Sequence, residues 1–369
     1  MKTAAKNDEF SGPAAMISKD RQRRLLKRTN ARIQLWKYRR SGLSEQETGC
    51  RFIGSQGLRK ICDYWDRDGR PPSPKQIGEL HASCASPVII HIEPEFLPAF
   101  ERDDLKRIEQ DFILVTGCSD LGIDQRAIGE DWCQQLLDYP RLTAWFAQNC
   151  DADHPKLKRL PIGLDYHTLA GTVKHWPWGY FMTPLAQEAS LNDARLGAPK
   201  LFEKELPGYC NWHHSLDRGD RLNCINSVAY DTIHLEDLNI ERDMSWRNNA
   251  RHFFTISPLG AGLDCHRTWE AILLGSVPIV KRTGISSLFS SLPVCVVDDW
   301  SEVTASYLKH KREWILQSEF DFAQLYLDWW RLRFRGETKL PKKISTFQAF
   351  IDTASQPLQG NEPRMVRAA

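Results

Sequence analysis

The chain has 369 residues, 41% of them hydrophobic and 26% charged, which is the make-up of a globular protein with room for two hydrophobic cores and excludes a low-complexity or fibrous chain. No run approaches the roughly 20 apolar residues of a membrane-spanning helix, and the opening MKTAAKNDEFSGPAAMISKD has no apolar segment of the signal-peptide kind. The net charge of +2 hides an asymmetry, because residues 1–40 carry twelve Lys or Arg against three Asp or Glu, a local +9, and the remainder carries 2 − 9 = −7.

Residues 1 to about 18 are small and polar and read as disordered. The stretch Arg21 to Tyr38 mixes cations with Leu25, Leu26, Ile33, Leu35 and Trp36 and reads as a helix packed on the body, with contact to an anionic membrane surface as the alternative. Nothing in it resembles a nucleic-acid recognition module, so no nucleic acid is expected as partner. Helical segments follow to about Leu80, including Leu58 to Trp65, around the turn-rich Asp66 to Pro72.

The β-branched run Val88 to Ile92 predicts the first buried strand, a helix near Leu97 to Glu109 follows, and Phe112 to Thr116 predicts the next strand. Polar residues Thr116 to Asp120 emerge where that strand stops, the position at which open α/β sheets bind ligands. Asp120 is the leading candidate for a catalytic base there, and His91 and Glu93, leaving the preceding strand in the same direction, are the alternatives. Further strands are expected at Thr143 to Ala147 and Lys158 to Ile162, the latter running into Gly163-Leu164-Asp165-Tyr166-His167. The sequence turns polar between Gln187 and Pro207, which marks a domain boundary.

The second domain opens with a strand near Gly208 to Trp212 and a helix around Leu222 to Ala229. Arg218 or Arg221, at the start of that helix, is placed to hold a diphosphate through paired N–H donors. The neighbouring His213 and His214 point apart and have no Asp-x-Asp partner nearby, so no metal is expected.

A strand at His252 to Ile256 then passes into the loop Ser257-Pro258-Leu259-Gly260-Ala261-Gly262. Asp264 is placed to cap a helix over Cys265 to Leu274, Gly275 to end it in a left-handed conformation, and Val277 to Val280 and Val294 to Val297 to form two more strands. On that helix Arg267, Glu270, Ala271 and Leu274 share one face. A helix N-terminus behind glycines suits a phosphate, and a carboxylate one turn further in suits the two hydroxyls of a ribose. Arg267 and Glu270, three residues apart, could equally pair with each other. Ser301 to Gln317 and the aromatic-rich Phe320 to Arg335 read as helices, the second returning toward the first domain, and the last residues from about Gly360 are expected to fray.

The run SPLGAGLDCHRTWEAILLGSVPIV, followed by LPVCVVDDWSEV, resembles the carboxy-terminal signature of the exostosin-like glycosyltransferases, and ILVTGCSD, WFAQNCDADHPKL and LPIGLDYH resemble the amino-terminal half of that family. The resemblance covers about 113 to 318. A weaker form of the helix-and-strand pattern also occurs in fucosyltransferases that use GDP-fucose. The resemblance implies an α/β fold of two Rossmann-like domains facing a cleft, the GT-B arrangement, preceded by the basic helical extension. It divides the chain into an extension (1–80), an acceptor domain (81–195), a nucleotide-sugar donor domain (196–318), a helix returning to the first domain (319–345) and a tail (346–369).

It further implies an inverting, metal-independent sugar transfer from a UDP- or GDP-sugar to a glycan or other hydroxyl acceptor. Glu270, Arg267, Arg221, Ser257, Gly260, Gly262 and Asp264 would bind the donor. Asp165 and His167, in a loop that faces the cleft in that family, are acceptor-side candidates. A GDP-fucose-type transferase and a catalytically silent nucleotide-sugar or glycan binder are the alternatives. Ten cysteines are scattered without a CxxC pair, which points to a reducing, cytoplasmic setting.

Overall fold

A computed structural model describes residues 13–41, 46–212 and 215–356, with side chains from Arg21 onward. The regions expected to be disordered or frayed, up to residue 12 and from 357, lie outside the described residues, as do His213 and His214. The chain is α/β, with parallel sheets flanked by helices. This is compatible with a two-domain Rossmann-like arrangement.

Helix α1 (Pro13–Tyr38) begins earlier than the cation-rich segment alone suggests, taking in residues read as disordered. After the short α2 (Ser55–Lys60) and α3 (Pro74–Ser83), whose Ser73 cap and Gln76 form a capping box, the first sheet is built from β1 (Val88–Ile92), β2 (Phe112–Thr116), β3 (Leu142–Ala147) and β4 (Leu157–Arg159). Its order is β1-β2-β3-β4, all parallel. β1 and β2 are buried along their whole length, as continuous apolar runs in parallel sheets require. One face, with Ile90, Leu114 and Trp145, packs under α4 (Leu97–Asp103) and α6 (Asp131–Asp138), the latter preceded by the short α5 (Gln125–Gly129).

The intervening segment holds α7 (His167–Gly171), the small β5 (Lys174–His175) and β6 (Gly179–Tyr180) ribbon, and α8 (Pro184–Leu196). The second sheet comprises β7 (Gly208–Cys210), β8 (Ile233–Leu235), β9 (Phe254–Ile256), β10 (Val277–Lys281) and β11 (Cys295–Val297), connected through α9 (Arg221–Ser227), α10 (Arg242–Asn249) and α11 (His266–Leu273). Its parallel order, β11-β10-β9-β7-β8, reverses direction between β7 and β9. The crevice beyond the carboxyl ends of those two strands is where doubly wound sheets bind ligands.

After α12 (Ala305–Gln317), the chain departs from the single helix expected over Phe320 to Arg335. Glu319–Asp321 is instead a strand, β12, antiparallel to β13 (Ile344–Thr346), and only Leu327–Phe334 is helical (α13). Phe322 stacks at 3.9 Å on Phe350 of the last helix, α14 (Phe347–Thr353), an anchor a continuous helix would pull away. α13 lies over the first sheet, Trp330 and Phe334 meeting Phe146 of β3 at 6.2 and 5.0 Å. One hydrophobic core therefore joins Ile113, Val115 and Phe146 of the first sheet to Phe254, Ile279 and Trp269 of the second, and Phe52, Ile53 and Leu58 near the start belong to it too.

Candidate functional site

The two halves of the chain are hydrogen-bonded to each other at the tip of α11. Asp264 does not cap the helix in the expected manner, because the N-cap is Cys265. The Asp264 carboxylate is buried and accepts from Ile162 N of the other half at 2.8 Å, from Cys265 N at 2.9 Å and from Trp269 Nε1 at 2.9 Å. Burial pushes its pKa up to about 6 against the pull of those three donors. Its backbone N–H meets Asn149 Oδ1 at 2.9 Å. Gly262 serves the same contact, since a Cβ there would fall 2.8 Å from Asn149 Nδ2.

Ser257 is likewise turned inward, its hydroxyl 2.8 Å from that of Thr268. Neither Ser257 nor Asp264 is therefore open to a donor. Both brace the loop that carries Gly260 and Gly262. Gly275, at φ +75°, ends α11 in the left-handed conformation read from the sequence.

On the switch-point side of the tip stand Arg221 and Arg267. Arg267 Nη2 donates to Pro258 O at 3.0 Å and Arg221 Nη1 to Ser215 O at 3.3 Å, while the Nε of each is buried without a partner. Among the described residues neither guanidinium forms an ion pair with a carboxylate. Burial first, and the neighbouring Arg267 next, hold the Arg221 pKa down to about 10, with Cys265 and Asp217 pulling the other way. Two adjacent, half-buried cations with spare donors form a place for an anion. Gly260 lies beside them, its missing Cβ 3.8 Å from Arg221 Nη2.

Glu270 does not present an open carboxylate to a ribose. One oxygen meets Arg242 Nη2 and the other accepts from Trp246 Nε1 at 3.0 Å, with the Arg242 and Glu270 side chains only 5% and 13% exposed. Arg242 also lies over the rings of Trp178 and Trp246, at 4.9 and 4.6 Å, and donates to Gln187 Oε1. The crevice beside this pair holds about 40 Å³, room for a water and far less than a sugar. Arg267 is not the partner of Glu270, so the pairing read as the alternative does not form either.

Between the halves, on the other side of the tip, a cavity of about 340 Å³ is lined by Ser55, Cys118, Ser119, Asp120, His167 and His266. Asp120 is exposed here, at the end of β2. Cys118 and Asn149, after β2 and β3, hold φ of +61° and +51°, left-handed backbone that side-chain-bearing residues rarely adopt and that concentrates at functional sites.

His167 Nδ1 lies 3.2 Å from Asp165 Oδ1, and His266 Nδ1 pairs with Gly163 O at 2.7 Å. Asp165 is buried; burial alone would raise its pKa, but Arg242, His167 and His266, together with the Thr168 N–H at 2.9 Å, hold it well below the usual carboxylate range. Asp165, His167 and His266 place one ligand atom each within 4.8 Å of one another, a set that could also take a metal ion.

The other two base candidates do not reach this cavity. His91 points into the interior with both ring nitrogens unpartnered, and burial, then Arg59, hold its pKa down to about 3. Glu93 pairs with Arg59 at 3.5 Å and packs beneath the turn at Gly69. His91 lies within the continuous run Val88–Ile92, which is buried on both faces, so its burial was legible in the sequence.

Arg242, Trp246 and His266 are the residues sequence reading missed. His266 sits inside the quoted signature and its place one residue before Arg267 was a usable signal. Arg242 lies in a short polar helix with no periodic cue. No family model matches the chain, and no curated protein matches it.

Proposed function

We propose that the chain is a GT-B type glycosyltransferase that moves a sugar from a nucleotide-sugar to a hydroxyl acceptor in a cytoplasmic setting. The observation that carries this reading is the pair Arg221 and Arg267, two half-buried cations without a carboxylate partner among the described residues, at the switch point of a parallel sheet. A nucleoside diphosphate supplies the missing anion. The interdomain cavity beside it, with Asp120 and the Asp165–His167 pair, supplies a proton acceptor.

In the reaction proposed, the acceptor oxygen bonds to the anomeric carbon as the bond to the diphosphate breaks. The electron pair goes to the diphosphate, where the two guanidiniums meet it, and the acceptor proton goes to His167, which Asp165 orients, with the exposed Asp120 as the alternative acceptor. Stabilisation that grows as the leaving charge develops favours the transition state over the ground state. Asp165, buried and ionised, fixes the orientation of the His167 ring through the 3.2 Å contact to its Nδ1. The scheme needs no metal.

Glu270 would take part in donor binding only after releasing Arg242, and a nucleotide-sugar binder without turnover is the second reading. Donor hydrolysis separates the two, since an active transferase slowly passes sugar to water and a silent binder does not. The deciding experiment is thermal shift with UDP, GDP, CMP and ADP. A matching nucleotide at a hundred times its Kd adds about 2.7 kcal/mol, and GDP in place of UDP would favour the fucosyltransferase-like alternative. If none of the four moves the Tm, the nucleotide-sugar reading fails.

A further inference from the structure

Helix α1 has two apolar stripes, and only one of them is used by the fold. Ala31 and Leu35 are buried against Phe181, with Tyr38 meeting that ring at 5.6 Å. Leu25, Leu26, Ile33 and Trp36 are 66%, 70%, 50% and 55% exposed. At about 100° per residue these four fall within an arc of about 100° on the side opposite Ala31 and Leu35. Residues 21–40 also carry seven Arg and two Lys and no Asp or Glu. Arg32 and Lys37 border the outer stripe on its two sides, and just past the helix end the Arg40 guanidinium lies 3.9 Å from the Trp36 ring centre.

We propose that this outer face of α1 docks on the surface of an anionic phospholipid bilayer. An apolar stripe flanked by cations, with an indole at the water boundary, is the pattern of a helix lying in the membrane interface. The long Arg and Lys stems can lie along the apolar boundary with their heads among the phosphates. A second copy of the chain is a poor occupant, because it would bring the nine cations of its own residues 21–40 against the nine of the first. A nucleic acid would satisfy the charge and leave Leu25, Leu26 and Ile33 without a role. The body holds α1 through the opposite stripe, so the docking face is presented without unfolding anything. The proposal is independent of sugar transfer, and its test involves no donor.

The test is co-sedimentation of the full chain with vesicles of phosphatidylcholine alone and with about a third phosphatidylserine. Binding at least about tenfold stronger to the anionic vesicles is expected, weakened by 0.5 M salt. The fourfold variant Leu25→Ser, Leu26→Ser, Ile33→Ser, Trp36→Ser should lose about tenfold or more of that binding with its Tm unchanged, because all four side chains are exposed. Arg23→Glu, Lys27→Glu, Arg32→Glu should lose it too, which tests the charge without touching the apolar stripe. Equal binding to neutral and anionic vesicles, or serine and wild-type chains binding alike, would overturn the proposal. So would retention of both chains on duplex RNA or DNA with no vesicle binding, an outcome that assigns the face to nucleic acid.

Discussion

Arg242 neutralises Glu270 inside the protein, between two tryptophan rings, and so takes the most suggestive carboxylate of the central signature out of immediate use. Breaking a buried pair by removing one partner leaves a charge without compensation, at a cost of about 3–5 kcal/mol. Arg242→Ala and Glu270→Ala should each destabilise to that extent in urea unfolding. The double substitution Arg242→Met, Glu270→Met should cost much less than the sum of the two, because no orphan charge remains. Single variants within 1 kcal/mol of wild type would mean that the pair opens freely in solution, and Glu270 would then be available to a ribose.

Proton transfer in the proposed reaction rests on the cavity at the helix tip. His167→Ala should lower turnover by about 10²- to 10⁴-fold while nucleotide affinity, read by thermal shift, is kept. Asp165→Asn should lower turnover and also move the pH profile, the mark of a residue that acts by positioning the imidazole. Asp120→Asn should retain most activity. Loss of turnover in Asp120→Asn with His167→Ala active would reverse the assignment.

The strands at 88–92 and 112–116 were legible because buried parallel strands are continuous apolar runs, a signal contained within five residues. The ends of α11 were half legible. Gly275 announces its left-handed turn locally, whereas Asp264 is claimed by Ile162, 102 positions away, and no local pattern carries that information. Glu270 failed in the same way, since its partner Arg242 lies on another helix in a stretch without hydrophobic period. His91 shows the opposite case, because its place inside the continuous buried run Val88–Ile92 is a local signal that it faces the interior.

Arg221 and Arg267 are expected to meet the diphosphate directly. Arg221→Ala and Arg267→Ala should each cost about 1.5–3 kcal/mol of affinity for the nucleotide diphosphate found by the thermal-shift screen, measured by calorimetry. Their stability should hold or rise, because each removes one of two adjacent half-buried cations. Unchanged affinity in both variants would place the nucleotide elsewhere.

Asp165, His167 and His266 offer a direct check on metal independence. Their ligand atoms spread over as much as 4.8 Å, while a transition metal at about 2.0–2.2 Å from each would draw them closer together. Turnover and Tm should be unchanged by EDTA. Abolished turnover that returns with Zn²⁺ or Mn²⁺, in wild type and not in His266→Ala, would make these residues a metal centre and remove His167 from the role of base.

Lys204 ties the far end of α11 down. Its ammonium is buried and donates to Leu274 O at 3.3 Å and Gly275 O at 2.5 Å, and burial brings its pKa down to about 7. An unfolded lysine titrates near 10.4, so between about pH 7 and 10 the unfolded chain holds a proton that the folded chain has released. Stability rises with pH wherever the unfolded state binds more protons, and the burial penalty on Lys204 is therefore at its full size below pH 7 and relieved toward pH 10. Buried tyrosines and cysteines push the other way at high pH, so the effect is read as a difference. The Tm of wild type minus that of Lys204→Met should grow in favour of wild type as pH is raised through this window. A difference that stays flat would mean that the ammonium keeps its proton in the fold, and that the two carbonyls at the end of α11 hold it as a charged cap.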